Sequence, residues 1–412
     1  LDLHHRFSAP VRRWWPERGT VEYYAALARH DLALRGRALV TFSGGNETLA
    51  ISSLGFLHYA TVMVGTPGLS FLVALDTGSD LFWLPCDCSS CAPEFEFSIY
   101  SPSTSVTSQA VLCNSSSCQS KCSRGPYCPY EVAYVSADTS SSGYLVEDVL
   151  SLTTEDELVQ APIMFGCGQV QTGSFLDAAA PNGLFGLGME KLSVPSILAS
   201  AGLISNSFSM CFGSDGVGRI SFGDQGSSDQ EQTPFNLKST YNISVTGVAV
   251  GNSITADFSA LVDSGTSFTY LADPAYTFIS QSFNARVKDK RDPNIPFEYC
   301  YHISSNNISR QLPDISLTTK GGGQFPVSDP IVLLTTQQRE NVYCLALVKS
   351  SNLNIIGQNF MTGLRIVFDR ERMVLGWKKF NCDVEESNPL PVNPRNPSPS
   401  PTLSPKSYSP EA

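Results

Sequence analysis

The sequence lacks long apolar runs and is poor in charged residues. No apolar stretch approaches the roughly 18 residues that a membrane-spanning helix requires, so the sequence predicts no transmembrane helix. Only 16% of the residues are charged, and the formal net charge is −11. This acidic balance argues against nucleic acid as a partner, because nucleic-acid binding needs a basic surface.

Histidine is also scarce, which bears on metal binding. None of the five histidines accompanies the cysteines in a zinc-site spacing. The densest cysteine cluster, Cys86-Asp-Cys88-Ser-Ser-Cys91, has no matching half with histidine, whereas a structural zinc site needs four ligands. The run 321–323 is Gly-Gly-Gly without a following Lys-Ser/Thr, which predicts a hairpin loop rather than a phosphate-binding loop. We therefore expect no metal and no organic cofactor.

Twelve cysteines, an even number, and four N-glycosylation sequons indicate an oxidising, secretory route. The chain begins at Leu1 rather than Met, which we interpret as the result of signal-peptide removal. The expected location is extracellular or at the cell surface. The predicted glycosylation sites are Asn46, Asn114, Asn242 and Asn307.

The length and composition predict two β-rich lobes. A chain of 412 residues allows two domains of ordinary size with further segments at the ends. Hydrophobic residues make up 42%, and 31 Gly and 26 Pro favour turns between short strands. We predict a mainly β protein with a first lobe over 50–232 and a second over 233–384. A cysteine-rich insert over 86–128 either forms an excursion near a cleft rim or simply stabilises the first lobe.

One short pattern occurs twice in the chain. In each copy an apolar run leads into Asp, a small hydroxyl residue, Gly and a second hydroxyl residue. Each copy is followed by two apolar residues and a Gly, at 184–186 and 355–357. This order predicts a duplicated unit with internal pseudo-twofold symmetry. The two motifs are Asp76-Thr77-Gly78-Ser79 and Asp263-Ser264-Gly265-Thr266.

The residue types of this motif suit acid–base chemistry. The Gly permits a tight turn, and the hydroxyls on either side can donate hydrogen bonds to the carboxylate. If the halves meet, Asp76 and Asp263 share one proton, because like charges at short distance cannot both ionise easily. The ionised member can take a proton from water while the protonated member polarises a carbonyl, which hydrolyses a peptide without a covalent intermediate. The supporting residues are Thr77, Gly78, Ser79, Ser264, Gly265 and Thr266.

These motifs resemble the pepsin-like aspartic endopeptidases, and within them the atypical, cysteine-rich plant group that includes the nepenthesins. The resemblance covers residues 56–383. It implies a two-lobed, pepsin-like acid protease fold with Asp76 and Asp263 as the catalytic pair at the floor of a cleft. Further shared features are Gly65-Thr66-Pro67, Trp83, Phe165–Gly168 and Ser207–Cys211.

Residues 130–148 resemble the flap hairpin that folds over the substrate in that family. Tyr134 matches the flap tyrosine, whose hydroxyl group commonly meets the indole N–H of the residue that is Trp83 here. The sequence departs from the family at 135–138, where Val-Ser-Ala-Asp replaces the usual Gly-Asp-Gly. The flap geometry and the cleavage preference are therefore not implied by the resemblance.

The resemblance implies a secreted, monomeric endopeptidase that acts on polypeptide substrates at acidic pH. The rival is a catalytically inactive pepsin-like binding or inhibitor protein of the cell wall, because a fold alone does not guarantee chemistry. The presence of both Asp residues, their hydroxyl neighbours and Tyr134 favours the enzyme. The altered flap favours the rival.

The distribution of cysteines constrains the disulfides. Nine cysteines precede residue 232 and three follow it, so full pairing needs at least one bridge between the halves. The resemblance implies a bridge between Cys300 and Cys344. Cys382 is then left to pair with Cys167 or Cys211.

Both ends of the chain differ from the two lobes. Residues 1–40 hold seven Arg, four acidic residues and no Lys. They predict a propeptide-like segment held by charge against the acidic body and released as the pH falls, or simply a basic surface helix over about 20–35. Residues 385–412 are rich in Pro and Ser, which predicts a disordered stalk. The small terminal Ala412 after a polar spacer is compatible with a GPI anchor.

Overall fold

The computed structural model describes most of the two predicted lobes. The helix over 20–35, the sequons at Asn46 and Asn307, residues 135–138 and the stalk lie outside the described part of the chain. The described residues are 2–4, 58–92, 98–122, 125–134, 139–153, 158–176, 180, 182–213, 217–236, 239–291, 297–303, 312–328, 330–335 and 341–382.

These residues form 24 strands and three α-helices, which confirms the mainly β class. The strands are β1 Asp2–His4, β2 His58–Val64, β3 Leu69–Asp76, β4 Trp83–Ser90, β5 Gln109–Ala110, β6 Pro129–Ala133, β7 Ser140–Thr153, β8 Leu158–Gln171, β9 Leu184–Gly186, β10 Ser207–Phe212, β11 Val217–Phe222, β12 Glu231–Pro234, β13 Asn242–Val250, β14 Asn252–Val262, β15 Thr269–Leu271, β16 Cys300–His302, β17 Ile315–Thr319, β18 Gln324–Val327, β19 Ile331–Thr335, β20 Asn341–Leu345, β21 Leu347–Lys349, β22 Ile355–Ile356, β23 Leu364–Asp369 and β24 Val374–Lys379. The helices are α1 Val194–Ser200, α2 Ala275–Asn284 and α3 Gln358–Met361, with 3-10 turns at Pro102–Thr104 and Gly173–Phe175.

The described strands form three sheets. The largest has 14 strands in the order β12-β24-β23-β10-β11-β1-β2-β3-β9-β4-β8-β7-β5, with β6 paired to β7. A seven-stranded sheet has the order β18-β17-β13-β14-β22-β15-β21, and a three-stranded sheet has the order β16-β20-β19. Side chains from both larger sheets contribute to one hydrophobic core. The two sheets therefore pack against each other rather than fold as separate bodies.

The duplicated sequence pattern corresponds to a duplicated strand arrangement. In the first half, β9 runs parallel to β3 and antiparallel to β4. In the second half, β22 runs parallel to β14 and antiparallel to β15. Glycine follows the apolar pair in both repeats because a Cβ would lie 2.2 Å from Asp80 O at Gly186 and 2.1 Å from Phe268 O at Gly357.

Local sequence patterns explain several elements around this centre. Residues 274–287 include α2, an amphipathic helix that buries Ala275, Ile279 and Phe283 on one side. The Gly-Gly-Gly run joins β17 to β18 as a hairpin, as predicted. The predicted flap is also a hairpin, because β6 pairs antiparallel with β7.

The N-terminal residues form an element that the sequence did not predict. Strand β1 lies between β11 and β2, where Leu3 is opposite both Gly218 and Ala60. A three-residue strand is too short to produce an alternating pattern that distinguishes it from a loop. Part of the segment interpreted as propeptide-like therefore contributes a strand to the largest sheet.

The last two strands also join the largest sheet. Strand β23 pairs with β10, and β24 pairs with β23 and β12. A second contact joins the halves at Tyr241, whose buried hydroxyl group donates a hydrogen bond to Leu187 O at 2.6 Å. Strands β23 and β24 thus complete a sheet that begins in the first half.

All twelve cysteines are paired in six disulfides. The structure pairs Cys300 with Cys344 and, of the two partners considered for Cys382, selects Cys211. Cys86, the first residue of the cysteine-rich insert, pairs with Cys167 in β8, outside the insert. Three bridges are local to the insert: Cys88–Cys91, Cys113–Cys122 and Cys118–Cys128. Within the described residues, no helix combines the length and the apolar character needed to cross a membrane.

The bridge between Cys211 and Cys382 closes a loop with a sequence separation of 171, whereas Cys88–Cys91 closes one of 3. Loop-closure entropy predicts that the longer bridge stabilises the fold by about 3 kcal/mol more than the shorter one. We expect Cys211→Ala/Cys382→Ala to lower the urea midpoint clearly more than the matched pair Cys88→Ala/Cys91→Ala. Equal losses in the two double variants would contradict the assigned connectivity.

Candidate active site

Two strands of equivalent position end at the two Asp residues. Strand β3 is buried from Phe71 to Asp76, and such a continuous apolar run is typical of a strand covered on both faces. Asp263 follows directly after Val262, the last residue of β14. Leu187 N–H donates to Asp76 O at 2.9 Å, and Asp263 N–H donates to Ile356 O at 3.1 Å, so both Asp residues are tied to the neighbouring parallel strand.

The two carboxylates face each other across a narrow gap. A methyl group added at Gly265 would lie 2.6 Å from Asp76 Oδ1 and 3.0 Å from Asp263 Oδ1. A methyl group at Gly78 would lie 3.1 Å and 3.0 Å from the same two oxygens. Both glycines are therefore needed for the approach of the two loops, and one small group can contact both acids.

Each carboxylate is held by its own loop in the same way. Gly78 N–H donates to Asp76 Oδ1 at 2.8 Å, and the Ser79 hydroxyl group donates to Oδ2 at 2.5 Å. The second half repeats these bonds, with Gly265 N–H to Asp263 Oδ1 at 2.8 Å and the Thr266 hydroxyl group to Oδ2 at 2.6 Å. The orientation of both carboxylate planes is thereby fixed.

The hydroxyl residues directly after the acids have a different role from the one that the sequence predicted. Thr77 and Ser264 do not donate to their own Asp but bond across to the opposite half. Thr77 Oγ1 accepts from Ser264 N–H at 2.9 Å and donates to Val262 O at 3.1 Å. Ser264 Oγ accepts from Thr77 N–H at 3.1 Å and donates to Leu75 O at 3.1 Å. The interpretation of both flanking hydroxyls as donors to the same Asp was wrong for these two positions.

The two acids are not in equal surroundings. Asp76 is buried, with 8% of its surface exposed, whereas Asp263 is half-buried. Burial, followed by the negative charge of Asp263, raises the pKa of Asp76 well above its ordinary value, although the hydrogen bonds from Ser79 and Gly78 act in the opposite direction. The surroundings therefore favour the protonated form of Asp76.

An aromatic cluster lies beside the first Asp loop. Trp83 Nε1–H donates to the Tyr134 hydroxyl oxygen at 2.9 Å, which is the contact that the resemblance implied. Phe175 packs edge-on against both rings, with centroid distances of 4.9 Å to Trp83 and 5.0 Å to Tyr134. Burial and the charge of Asp76 raise the pKa of the Tyr134 phenol, which stays neutral. Phe175 was not predicted from the sequence, because its Gly-Ser-Phe turn carries no catalytic pattern.

Two of the predicted glycosylation sites lie among the described residues. Asn114 is exposed in a turn of the cysteine-rich insert. Asn242 is half-buried at the start of β13, and its Oδ1 accepts a hydrogen bond from Asn236 Nδ2–H at 2.9 Å. The two sequons are therefore unequal in accessibility in the folded protein.

Comparison with known families matches both halves. The family described as "Xylanase inhibitor N-terminal" matches residues 58–224, and the one described as "Xylanase inhibitor C-terminal" matches residues 240–379. The two matches contain one Asp loop each, and together they span most of the described residues.

Curated relatives are named as aspartic proteases. "Aspartyl protease family protein 1" of Arabidopsis thaliana is 52% identical over 100% of this chain and 87% of its own length. "Aspartic proteinase-like protein 1" of the same plant is 38% identical over 94% of this chain and 81% of its own length. "Aspartic proteinase nepenthesin-2" of Nepenthes gracilis is 27% identical over 87% of this chain and 85% of its own length.

The exchange of hydrogen bonds between Thr77 and Ser264 predicts a large cost for Thr77→Val. The variant leaves Ser264 N–H and Val262 O without their partner in a buried site, which costs about 1 to 3 kcal/mol. We expect a lower thermal midpoint and a lower rate in any assay that depends on both Asp residues. Thr61→Val, on the exposed side of β2, is the matched control and should leave both unchanged. Equal behaviour of the two variants would contradict the role given to Thr77.

Proposed function

Because this chain belongs to the pepsin-like aspartic protease family, we propose that it is an aspartic endopeptidase that hydrolyses peptide bonds at acidic pH. The supporting observation is the pair of carboxylates that meet across the two loops, each oriented by an equivalent set of hydrogen bonds. A water molecule between the inner oxygens would contact both acids at once. Such a pair combines an acid and a base in one place.

The proposed reaction uses the proton that the pair retains. The ionised carboxylate takes a proton from water as the water oxygen bonds to the carbonyl carbon. The other carboxylate gives its proton to the carbonyl oxygen, which yields a neutral gem-diol. As the C–N bond breaks, the leaving nitrogen takes the first proton, and one gem-diol hydroxyl group returns its proton to the second acid. The products are a carboxylic acid and an amine, and no covalent intermediate forms.

The surroundings suit an extended polypeptide as the substrate. The flap hairpin of β6 and β7 carries Tyr134 to a position over the first Asp loop, where it bonds to Trp83. Phe175 is buried and packs edge-on against both rings, which holds them in place. Main-chain hydrogen bonds to the flap edge would supply affinity, and apolar pockets beside the acids would supply preference.

A second possibility is a catalytically inactive binding or inhibitor protein of the cell wall. It is favoured by the family descriptions, both of which name a xylanase inhibitor. The complete acid pair argues against it, since both carboxylates, both Gly N–H donors and both hydroxyl donors are present. An inhibitor has no need for two carboxylates held close enough to share a proton, which costs stability.

The proposal also covers where the protein is located and how it is processed after synthesis. Six disulfides that include every cysteine suit an oxidising compartment, and we infer passage through the secretory route to the cell surface as a monomer. Residues 1–40 would act as a propeptide of a zymogen, and the Pro- and Ser-rich tail would carry a GPI anchor. Glycosylation at the four sequons fits the same route.

The decisive assay for the activity is proteolysis of a peptide library from pH 3 to pH 7. We expect cleavage at the acidic end, inhibition by pepstatin, and a loss of roughly 10³-fold or more in Asp76→Asn and Asp263→Asn. Asp257→Asn, an exposed carboxylate of β14, is the matched control and should keep full activity. A correctly folded, matured wild type without cleavage at any pH would support the inhibitor instead.

The proposed membrane attachment is tested by fractionation of the expressed full-length precursor. We expect the protein in the membrane fraction, and its release by a phosphatidylinositol-specific phospholipase, because a lipid anchor and not a helix holds it there. A version that ends at residue 384 is the control and should appear in the soluble secreted fraction. Full-length protein that is secreted without phospholipase would exclude the anchor.

A further inference from the structure

One buried hydroxyl group of the second half reaches the segment that supports the first Asp loop. Tyr241 is fully buried, and its hydroxyl group donates to Leu187 O at 2.6 Å. Leu187 directly follows β9, and its own N–H donates to Asp76 O at 2.9 Å. A carbonyl oxygen can only accept, so the tyrosine is the donor. The bond therefore joins the second half to the support of Asp76.

The carbonyl group that accepts this bond belongs to the peptide unit that holds Ser79. The C=O of Leu187 and the N–H of Gly188 lie in one planar peptide unit, so the orientation of one fixes the orientation of the other. Gly188 N–H donates to Ser79 O at 2.8 Å. The Ser79 hydroxyl group then donates to Asp76 Oδ2 at 2.5 Å. A chain of hydrogen bonds thus runs from Tyr241 through one peptide unit and Ser79 to the carboxylate.

The main chain of Tyr241 is tied to the strand that ends at the second acid. Its backbone oxygen accepts a hydrogen bond from Val262 N–H at 2.9 Å, and Val262 directly precedes Asp263. Val262 O in turn accepts from the Thr77 hydroxyl group at 3.1 Å. The main chain of Tyr241 therefore contacts the support of Asp263, while its side chain contacts the support of Asp76.

The position of the Tyr241 ring does not depend on its hydroxyl group. The ring packs against Phe368, Phe235 and Phe208 at centroid distances of 4.7, 5.3 and 6.1 Å. Phe208 and Phe368 also stack on each other at 4.7 Å, in the paired strands β10 and β23. Such aromatic contacts stabilise a buried ring in one orientation. The hydroxyl group is therefore presented to Leu187 O from a well-packed part of the shared core.

The second Asp loop is supported differently at the equivalent position. Gln358 and Leu187 correspond, because each directly follows the Gly of its apolar-apolar-Gly run. Gln358 Nε2–H donates to Ser264 O at 2.6 Å, within its own half. Leucine has no side-chain donor, and the hydroxyl group of Tyr241 bonds to this segment from the opposite half. The support of the first Asp loop therefore includes a side chain from the other half of the molecule.

Given the proposed protease function, we propose that Tyr241 is a positioning residue that sets the orientation of Asp76 relative to Asp263. It acts through the peptide unit of Leu187 and Gly188, and not by contact with the substrate. Without the hydroxyl group, Leu187 O loses a buried partner and the peptide unit can rotate. Because hydrogen bonds in series strengthen one another, the loss of the first one also weakens those that hold Ser79 and the carboxylate.

The first test compares kcat and KM in Tyr241→Phe, which removes one oxygen atom and keeps the ring. A small misplacement of a reacting group slows the chemical step steeply, so we expect kcat to fall roughly 10-fold or more, with KM within about twofold of wild type. Tyr301→Phe is the matched control, because Tyr301 is also buried and its hydroxyl group donates to Asn284 Oδ1 at 2.8 Å. It should lose stability but keep kcat. Equal kcat values in the two variants, assayed well below their thermal midpoints, would overturn the proposal.

The second test uses no activity. The effects of residues in one hydrogen-bond network on stability do not add, whereas those of distant residues do. We expect the loss in urea midpoint of Tyr241→Phe/Ser79→Ala to be clearly smaller than the sum of the two single losses. Tyr301→Phe/Ser79→Ala is the control pair, and its loss should equal the sum of its single losses. Additive losses for Tyr241 and Ser79 would overturn the role given to Tyr241.

The two tests separate the failure of each idea. A correctly folded, matured wild type without proteolysis would refute the proposed protease function, while the urea midpoints still decide whether Tyr241 and Ser79 are coupled. In an active wild type, an unchanged kcat in Tyr241→Phe would overturn the positioning role even where the midpoints show coupling.

Discussion

The exchange of hydrogen bonds between Thr77 and Ser264 is the interaction on which the rest of the site depends. Each hydroxyl group accepts a backbone N–H from the opposite half and donates to a carbonyl oxygen there, so the two Asp loops are joined by four bonds. All four are buried, and a buried polar group without a partner is costly. These bonds therefore hold the two halves together where the like-charged side chains of Asp76 and Asp263 lie close to each other.

The backbone around the two acids is symmetric, but the surroundings of their side chains are not. Equivalent strands, equivalent glycines and equivalent hydroxyl donors place Asp76 and Asp263 in matching positions. Symmetry alone would give two identical acids, which is a poor arrangement for a reaction that needs an acid and a base. Unequal burial differentiates them, since Asp76 is buried and Asp263 is half-buried.

The sequence predicted the parts of this arrangement that repeat. Two Asp motifs with apolar lead-ins and two apolar-apolar-Gly runs were enough to predict the duplicated centre, and the contact between Trp83 and Tyr134 followed from a family resemblance. The crossing of the Thr77 and Ser264 hydroxyls was not predictable, since a hydroxyl beside an acid can satisfy either the acid or a distant backbone. Phe175 and strand β1 were not predicted for a related reason. A single aromatic residue and a three-residue strand are too short to show a hydrophobic periodicity in the sequence.

The pairing of β23 with β10 has a consequence for how this protein is made. Residues 364–379 are synthesised after both Asp loops, yet they fill the sheet positions next to strands of the first half. Until they emerge from the ribosome, one edge of β10 presents unpaired backbone groups, and a nascent first half is an incomplete domain. The largest sheet can then be completed only after residues 364–379 have been synthesised. The long-range contacts that make the two halves one body also delay the moment at which either half is finished.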